Sequence, residues 1–271
     1  MGSPSEKQAP TEALYPHRAV IVCAAGGPET EADALARRLG VPLVGELPCE
    51  AGWLALVLTH ERLQVQLTGP DAPGPVCAEF VTGATARRGR EAARADEGLL
   101  RAAGARHGQT PDVIDTTAAH GRDAWLLAAL GCRVTLVERH PAVAALLADG
   151  LKRAREDETA AEIAARIELI EAEAVAVLGE RTADTVIVDP MHPPRRKSAA
   201  VRKEMQVFRA LGGADGDSDR LLPAAIAAAR RRVAVKRPRG ASPLPGPAPS
   251  GSIDGRSTRF DIYAGGAANE T

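Results

Sequence analysis

Three carboxylates stand where β-branched runs of this chain end, and their spacing is the first chemical signal. Val113 and Ile114 lead into Asp115; small and turn-forming residues follow from Thr116 to Gly121, and a helix starts at Arg122. Twenty-three residues after Asp115, the run RVTLV at 133–137 ends in Glu138. That separation is close to the roughly 20 residues between a nucleotide-binding strand–turn–helix and the acid that grips a ribose. The plainer use of the same residues is Asp115 as a helix cap and Glu138 as an ordinary strand end, and spacing alone leaves both open. The third carboxylate, Asp189, follows TVIV at 185–188 and opens the turn Asp-Pro-Met-His-Pro at 189–193. Pro190 and Pro193 remove backbone donors and fix the chain path, so the Asp189 carboxylate and the Pro190 carbonyl become neighbouring acceptors. Two such acceptors can hold both N–H groups of an amine on an aromatic ring and aim its nitrogen at an electrophile. The exocyclic amine of a nucleobase fits. Asp189 could instead cap a turn that the prolines merely shape.

Basic clusters flank this acceptor pair. Arg195, Arg196, Lys197, Arg202 and Lys203 follow it, and a later run ends in Lys236, Arg237, Pro238 and Arg239. Charge of this kind at the mouth of a site can clamp phosphates, with an affinity that weakens as salt rises. His192 could stack on a base or be a surface turn residue. The six histidines have no metal-ligand spacing, and Cys23, Cys49, Cys77 and Cys132 form no CxxC pair, so neither a metal site nor a disulfide framework is expected. Core filling in a reducing compartment suits the cysteines better.

The elements that must position these groups come from periodicity. The chain has 271 residues, 45% of them hydrophobic, and 34 basic against 35 acidic residues, so no global field favours nucleic acid and any such signal is local. No apolar run approaches the roughly 18 residues of a membrane span. Residues 1–18 read as a disordered leader and not a signal peptide, which predicts a cytoplasmic protein. Residues 19–81 predict a small α/β subdomain of mostly hairpin-connected strands, at 19–23, 53–58, 63–67 and 76–81, with a helix at 29–39. Residues 82–108 form a polar, Arg-rich connector, helical near 97–103, whose charges read as a solvated face. From 109 to 265 strands and helices alternate: strands at 113–117, 133–138, 166–171, 184–188, 232–236 and 259–263, helices at 122–130, 141–155, 198–211 and 220–230. This predicts an α/β fold, a mostly parallel sheet with helices on both faces and ligands at the carboxyl ends of the strands, where Glu171 or Glu173 would join the other acids. The Pro-, Gly- and Ser-rich segment 238–257 predicts a mobile loop, and 266–271 a polar tail.

With these pieces assembled, the chain resembles the RsmJ family of bacterial 16S ribosomal RNA methyltransferases, which methylate a guanine N2 with S-adenosylmethionine. The resemblance runs from about Trp53 to Gly265 through LALVLTHERL, EFVTGA, the stretch from PDVIDTTAAHGRDAW to VTLVERHP, VDPMHPPRRK, VAVKRP and RFDIYAG. It implies a class I methyltransferase fold behind a smaller N-terminal region, a 16S ribosomal RNA or small-subunit partner, and no metal. Cofactor contacts carried over from the family fall beside Asp115 on Arg122 and Asp123, on Glu138 and Arg139, on Glu173 and Ala174, and on Asp189. Where the family has DATAGLGRD, Thr116, Ala119 and His120 replace Ala, Gly and Leu here. A positive φ at 119 would cost a Cβ-bearing residue about 1 kcal/mol or more. EAARAD at 91–96 stands in place of a glycine-rich loop, and His192 in place of a Phe. Three rivals stay open: a relative that binds RNA or a partner without methyl transfer, an amino-methyltransferase acting on adenine N6 or on DNA, and a nicotinamide-dependent oxidoreductase, which the absence of GxGxxG disfavours.

Overall fold

The computed structural model describes residues 18–92, 98–106, 108–190, 207, 211, 218–255 and 258–267. These fall into two units, one within Met1–Val76 and Ala199–Gly213, the other within Cys77–Ser198 and Ala214–Thr271. The expected leader at 1–17 lies outside the described residues, as does most of the helix expected at 198–211.

The first unit contains β1 (Arg18–Cys23), α1 (Glu29–Leu39), β2 (Leu43–Val44), β3 (Trp53–Leu58) and β4 (Leu63–Leu67), in the sheet order β2-β1-β3-β4. The two central strands carry its core, with Ile21, Leu54 and Leu56 fully buried. Only β3 and β4 form a hairpin; β1 runs parallel to both β2 and β3, which corrects the expectation of mostly hairpin-connected strands. The strand expected at 76–81 is reduced to one bridge between Val65 and Val76. Farther along, the Glu79 carboxylate accepts the N–H groups of Val81 and Thr82 at 2.8 and 3.0 Å, a local turn that takes those donors from any ladder.

The second unit begins with α2 (Gly83–Arg90) and α3 (Gly98–Ala103) and continues through β5 (Val113–Asp115), α4 (Arg122–Ala129), β6 (Val134–Glu138), α5 (Pro141–Glu156), α6 (Ala161–Ala164), β7 (Ile167–Glu171), α7 (Ala174–Glu180) and β8 (Ala183–Val188). It closes with α8 (Ser218–Ala228), β9 (Ala229–Pro238), β10 (Gly251–Asp254) and β11 (Thr258–Ala264). Its seven strands are ordered β10-β11-β9-β8-β5-β6-β7. The pairs from β9 to β7 are parallel, and β11 is antiparallel to both its neighbours. The strand order reverses between β5 and β8, the place where a doubly wound sheet leaves a crevice at its carboxyl edge. Nearly continuous burial explains why these two strands read as unbroken β-branched runs: every residue of β5 and all but Asp184 of β8 are buried.

The segment 238–257 departs from expectation. Arg237 donates two hydrogen bonds to the Ser242 carbonyl, at 3.1 and 2.6 Å, Leu244 is buried, and β10 pairs with β11 from Gly251 to Asp254. Proline and glycine punctuate the path, yet the segment still completes the sheet edge. The short helix α7 also escaped the sequence reading, because seven residues show barely two turns of periodicity. Among the described residues no helix is long and apolar enough to cross a membrane.

Candidate active site

Register puts the acids on one edge. Asp115 pairs with Leu136 of β6 on one side and Ile187 of β8 on the other, so Glu138 and Asp189 each lie two residues beyond those partners on the flanking strands. Glu138 pairs in turn with Glu171. The turn after β5 is stitched to both neighbours. Thr116 donates its N–H and its hydroxyl to the Ile187 carbonyl at 3.0 and 2.9 Å, and Ala118 N–H reaches the Val137 carbonyl at 3.3 Å. Thr117 joins the two strand tips: its N–H and hydroxyl point at Asp115 Oδ1, at 3.1 and 3.5 Å, while its Oγ1 accepts the Asp189 N–H at 2.9 Å.

The turn closes through Gly121, at φ 67°, where an added Cβ would come within 2.9 Å of Phe80 and 3.0 Å of Leu147. Only glycine lets the chain pass there into α4. Ala119, expected to be costly if φ were positive, has φ 45° and is the one non-glycine with positive φ among the described residues. Its side chain is exposed.

A charge network occupies the floor. Lys236 Nζ lies 2.8 Å from Asp123 Oδ2 and 2.9 Å from Asp189 Oδ2, and Arg88 Nη1 lies 3.2 Å from Asp123 Oδ1. Arg88 reaches in because α2 packs closely on α4: at Gly89 a Cβ would stand 2.5 Å from Trp125 Nε1. Burial works against ionising Asp123, but Lys236 and Arg88 outweigh it and hold its carboxyl below the ordinary aspartate value. Burial likewise works against the Lys236 ammonium, and the two carboxylates override it. Asp115 fares differently. Burial first, then the charge of Asp123, push its carboxyl up to about 7, with the Thr117 N–H and Lys236 only partly offsetting them.

The other expected residues separate into three groups. Glu138 is half-buried, with Oε1 accepting the His140 N–H at 2.8 Å; Arg122 is half-buried and Arg139 exposed beside it. Glu173 is the N-cap residue of α7 and Ala174 its first residue, just past β7. Pro190 is buried next to Asp189. Two residues expected to touch phosphate have partners within the chain. Lys236 turns into the site, onto carboxylates, and Arg237 is buried on the Ser242 carbonyl, because successive strand residues face opposite ways. His192, Arg195, Arg196, Lys197, Arg202 and Lys203 lie outside the described residues. Arg88 and Thr117 were missed. The first sits in an RRGR run that reads as a solvated face, the second in a turn of small residues with no periodic signal.

Three clustered carboxylates, Asp115, Asp123 and Asp189, face two cations, Lys236 and Arg88. A buried carboxylate raised to about 7 is relieved by a positive ligand, so the floor suits a sulfonium or an ammonium group, while Glu138 at the next strand end is an acceptor of the kind a ribose diol uses. Both features fit S-adenosylmethionine. Among the described residues no group of His, Cys, Asp and Glu is arranged to hold a metal ion.

Residues 43–265 match the family model described as "Putative SAM-dependent methyltransferase". The chain is 48% identical over 240 residues to the ribosomal RNA small subunit methyltransferase J of Thioalkalivibrio sulfidiphilus, covering 87% of this chain and 93% of that protein. It is 44% identical over 256 residues to the protein of that name in Pseudomonas aeruginosa, with 93% and 97% coverage. The crystal structure of a SAM-dependent methyltransferase from Neisseria gonorrhoeae superposes with a TM-score of 0.67 at 32% identity, covering 90% of this chain and 96% of that one. By sequence, fold and the acids gathered on the carboxyl edge of its sheet, the chain belongs to the S-adenosylmethionine-dependent methyltransferase family of the ribosomal RNA small subunit methyltransferases J.

Proposed function

We propose that this chain is a cytoplasmic enzyme that methylates the exocyclic N2 of a guanine in 16S ribosomal RNA. Its family and its relatives' names support S-adenosylmethionine-dependent methylation of small-subunit ribosomal RNA. The observation that supports the base chemistry is that Asp189, followed by Pro190, stands at the point where strand order reverses, on the same edge as Asp115 and Glu138. When bound, S-adenosylmethionine supplies an electrophilic methyl group on a sulfonium. Glu138 would hold the ribose hydroxyls, Arg122, Asp123, Arg139 and the Glu173–Ala174 step would border the same cofactor, and the buried Asp115 carboxylate would favour its positive charge. Asp189 and the Pro190 carbonyl accept the two N–H groups of a splayed-out guanine, which fixes the nitrogen in line for transfer. Forming the N2–methyl bond would break the methyl–sulfur bond and leave a neutral thioether, and one of those protons would pass from N2 to water during or after transfer. Positioning therefore supplies most of the catalysis. His192 stacks on the base, and Arg195, Arg196, Lys197 and Lys203 neutralise RNA phosphates.

Nucleoside mass spectrometry of 16S ribosomal RNA tests the reading. A strain lacking the gene should lose one N2-methylguanosine, the wild-type gene should restore it, and the D189A variant should not, although its circular dichroism and thermal unfolding show it folded. Loss of N6-methyladenosine instead would reassign the base. Absence of cofactor binding by the wild type would make the chain a non-catalytic relative.

A further inference from the structure

We propose that Lys236 is a positioning residue for methyl transfer: anchored on Asp123, its ammonium holds Asp189 Oδ2 and so keeps that carboxylate oriented and able to accept the substrate amine. This role presupposes that Asp189 receives the amine, as proposed above. Strand pairing brings the two residues together. Val188 of β8 pairs with Val235 of β9 in parallel register, so Asp189 and Lys236 are the next residues along adjacent strands. The ammonium then bridges, at 2.8 Å to Asp123 Oδ2 and 2.9 Å to Asp189 Oδ2, and the other Asp123 oxygen is occupied by Arg88 at 3.2 Å. The arrangement is partly shielded, with the Lys236 side chain 25% and Asp123 23% exposed.

The bridge matters because of what surrounds it. The charged groups facing Asp189 and Lys236 among the described residues are Asp115 from β5, Asp123 from α4 and Arg88 from α2. With Lys236 present, three carboxylates share two cations. Without it the cation 2.9 Å from Asp189 Oδ2 is gone while Asp115 and Asp123 stay nearby, so Asp189 would take up a proton more readily. A protonated carboxyl turns one acceptor into a donor, and the amine loses its seat. Lysine suits the task because its compact ammonium has three donors that can serve two carboxylates at once. An ammonium already shared by two carboxylates has little charge left to offer a phosphate.

The test is single-turnover methyl transfer onto small ribosomal subunits from cells lacking the gene, at saturating S-adenosylmethionine, from about pH 5 to 9, for wild type, K236M and K236R. The acidic limb of the K236M profile should move up by about one pH unit, which lowers the rate about tenfold at pH values below both limbs and changes it little on the alkaline plateau. K236R should return the limb to the wild-type position, and S-adenosylmethionine affinity by calorimetry should stay within about threefold of wild type. An unmoved limb overturns the proposal, whether the K236M rate is normal or uniformly lower. So does loss of cofactor affinity in parallel with transfer, which would make the residue a support of the cofactor pocket. If K236M does not fold, the charge-balanced double variant D123N/K236M leaves no orphan carboxylate at the anchor and should show a limb displaced in the same direction, by less because one repelling carboxylate is gone as well. An inactive wild type would overturn the reading of Asp189 itself, whereas an active wild type with an undisplaced variant overturns only the role of Lys236.

Discussion

Replacing Asp115 with asparagine removes a carboxylate that is 3% exposed and that burial and its acidic neighbours push up to about 7. Between the ordinary aspartate value near 4 and about 7, the folded chain keeps this proton and the unfolded chain releases it, so the free energy of unfolding falls as pH rises. The contribution is whole below about pH 4 and gone above about pH 7. A displacement of that size corresponds to about 4 kcal/mol, and deep burial leaves little solvent screening to discount. Asparagine has no such titration and keeps an oxygen for the Thr117 N–H, at a cost of about 1 kcal/mol for its extra amide donors. D115N should therefore match or slightly exceed wild type near pH 5 and exceed it by up to about 3 kcal/mol at pH 8. Urea denaturation of both proteins at pH 5, 6, 7 and 8 measures the difference, in which every other titration cancels. Parallel stability curves across this range would refute the burial of an uncompensated carboxylate at the end of β5.

Three further outcomes follow from the same geometry. A cationic ligand seated beside Asp115 would expel its proton, so calorimetry of S-adenosylmethionine below pH 7 in two buffers of different ionisation enthalpy should show proton release, and affinity should tighten as pH rises to about 7. A119G should stabilise the protein by about 1 kcal/mol in thermal or urea unfolding by relieving the positive φ, whereas G121A should destabilise it by at least about 2 kcal/mol, because that Cβ meets Phe80 as well as an unfavourable φ. R237M should cost about 2 kcal/mol of stability through loss of two charge-assisted hydrogen bonds to Ser242, while the salt dependence of RNA binding stays as in wild type; a reduced salt slope would restore Arg237 to the RNA surface.

The alternation of strand and helix and the placing of the acids at 115, 138 and 189 on one sheet edge were legible in the sequence. Strands buried on both faces must be written in β-branched residues, and a polar group at the end of such a run has only the sheet edge to occupy. Local chemistry also disclosed the strain at Ala119, since a turn that needs positive φ is hostile to any Cβ. What pattern could not supply was the partner of each charge. Lys236 and Arg237 are adjacent basic residues in the sequence, yet one grips two carboxylates and the other a loop carbonyl, because a pleated strand sends them to opposite faces and only the sheet order decides what waits there. Arg88 and Thr117 became part of the site through contacts spanning 35 and 72 residues of chain, to Asp123 and Asp189. Spacing along a chain records periodicity within one element, whereas the electrostatics of a site depend on which elements the fold brings side by side.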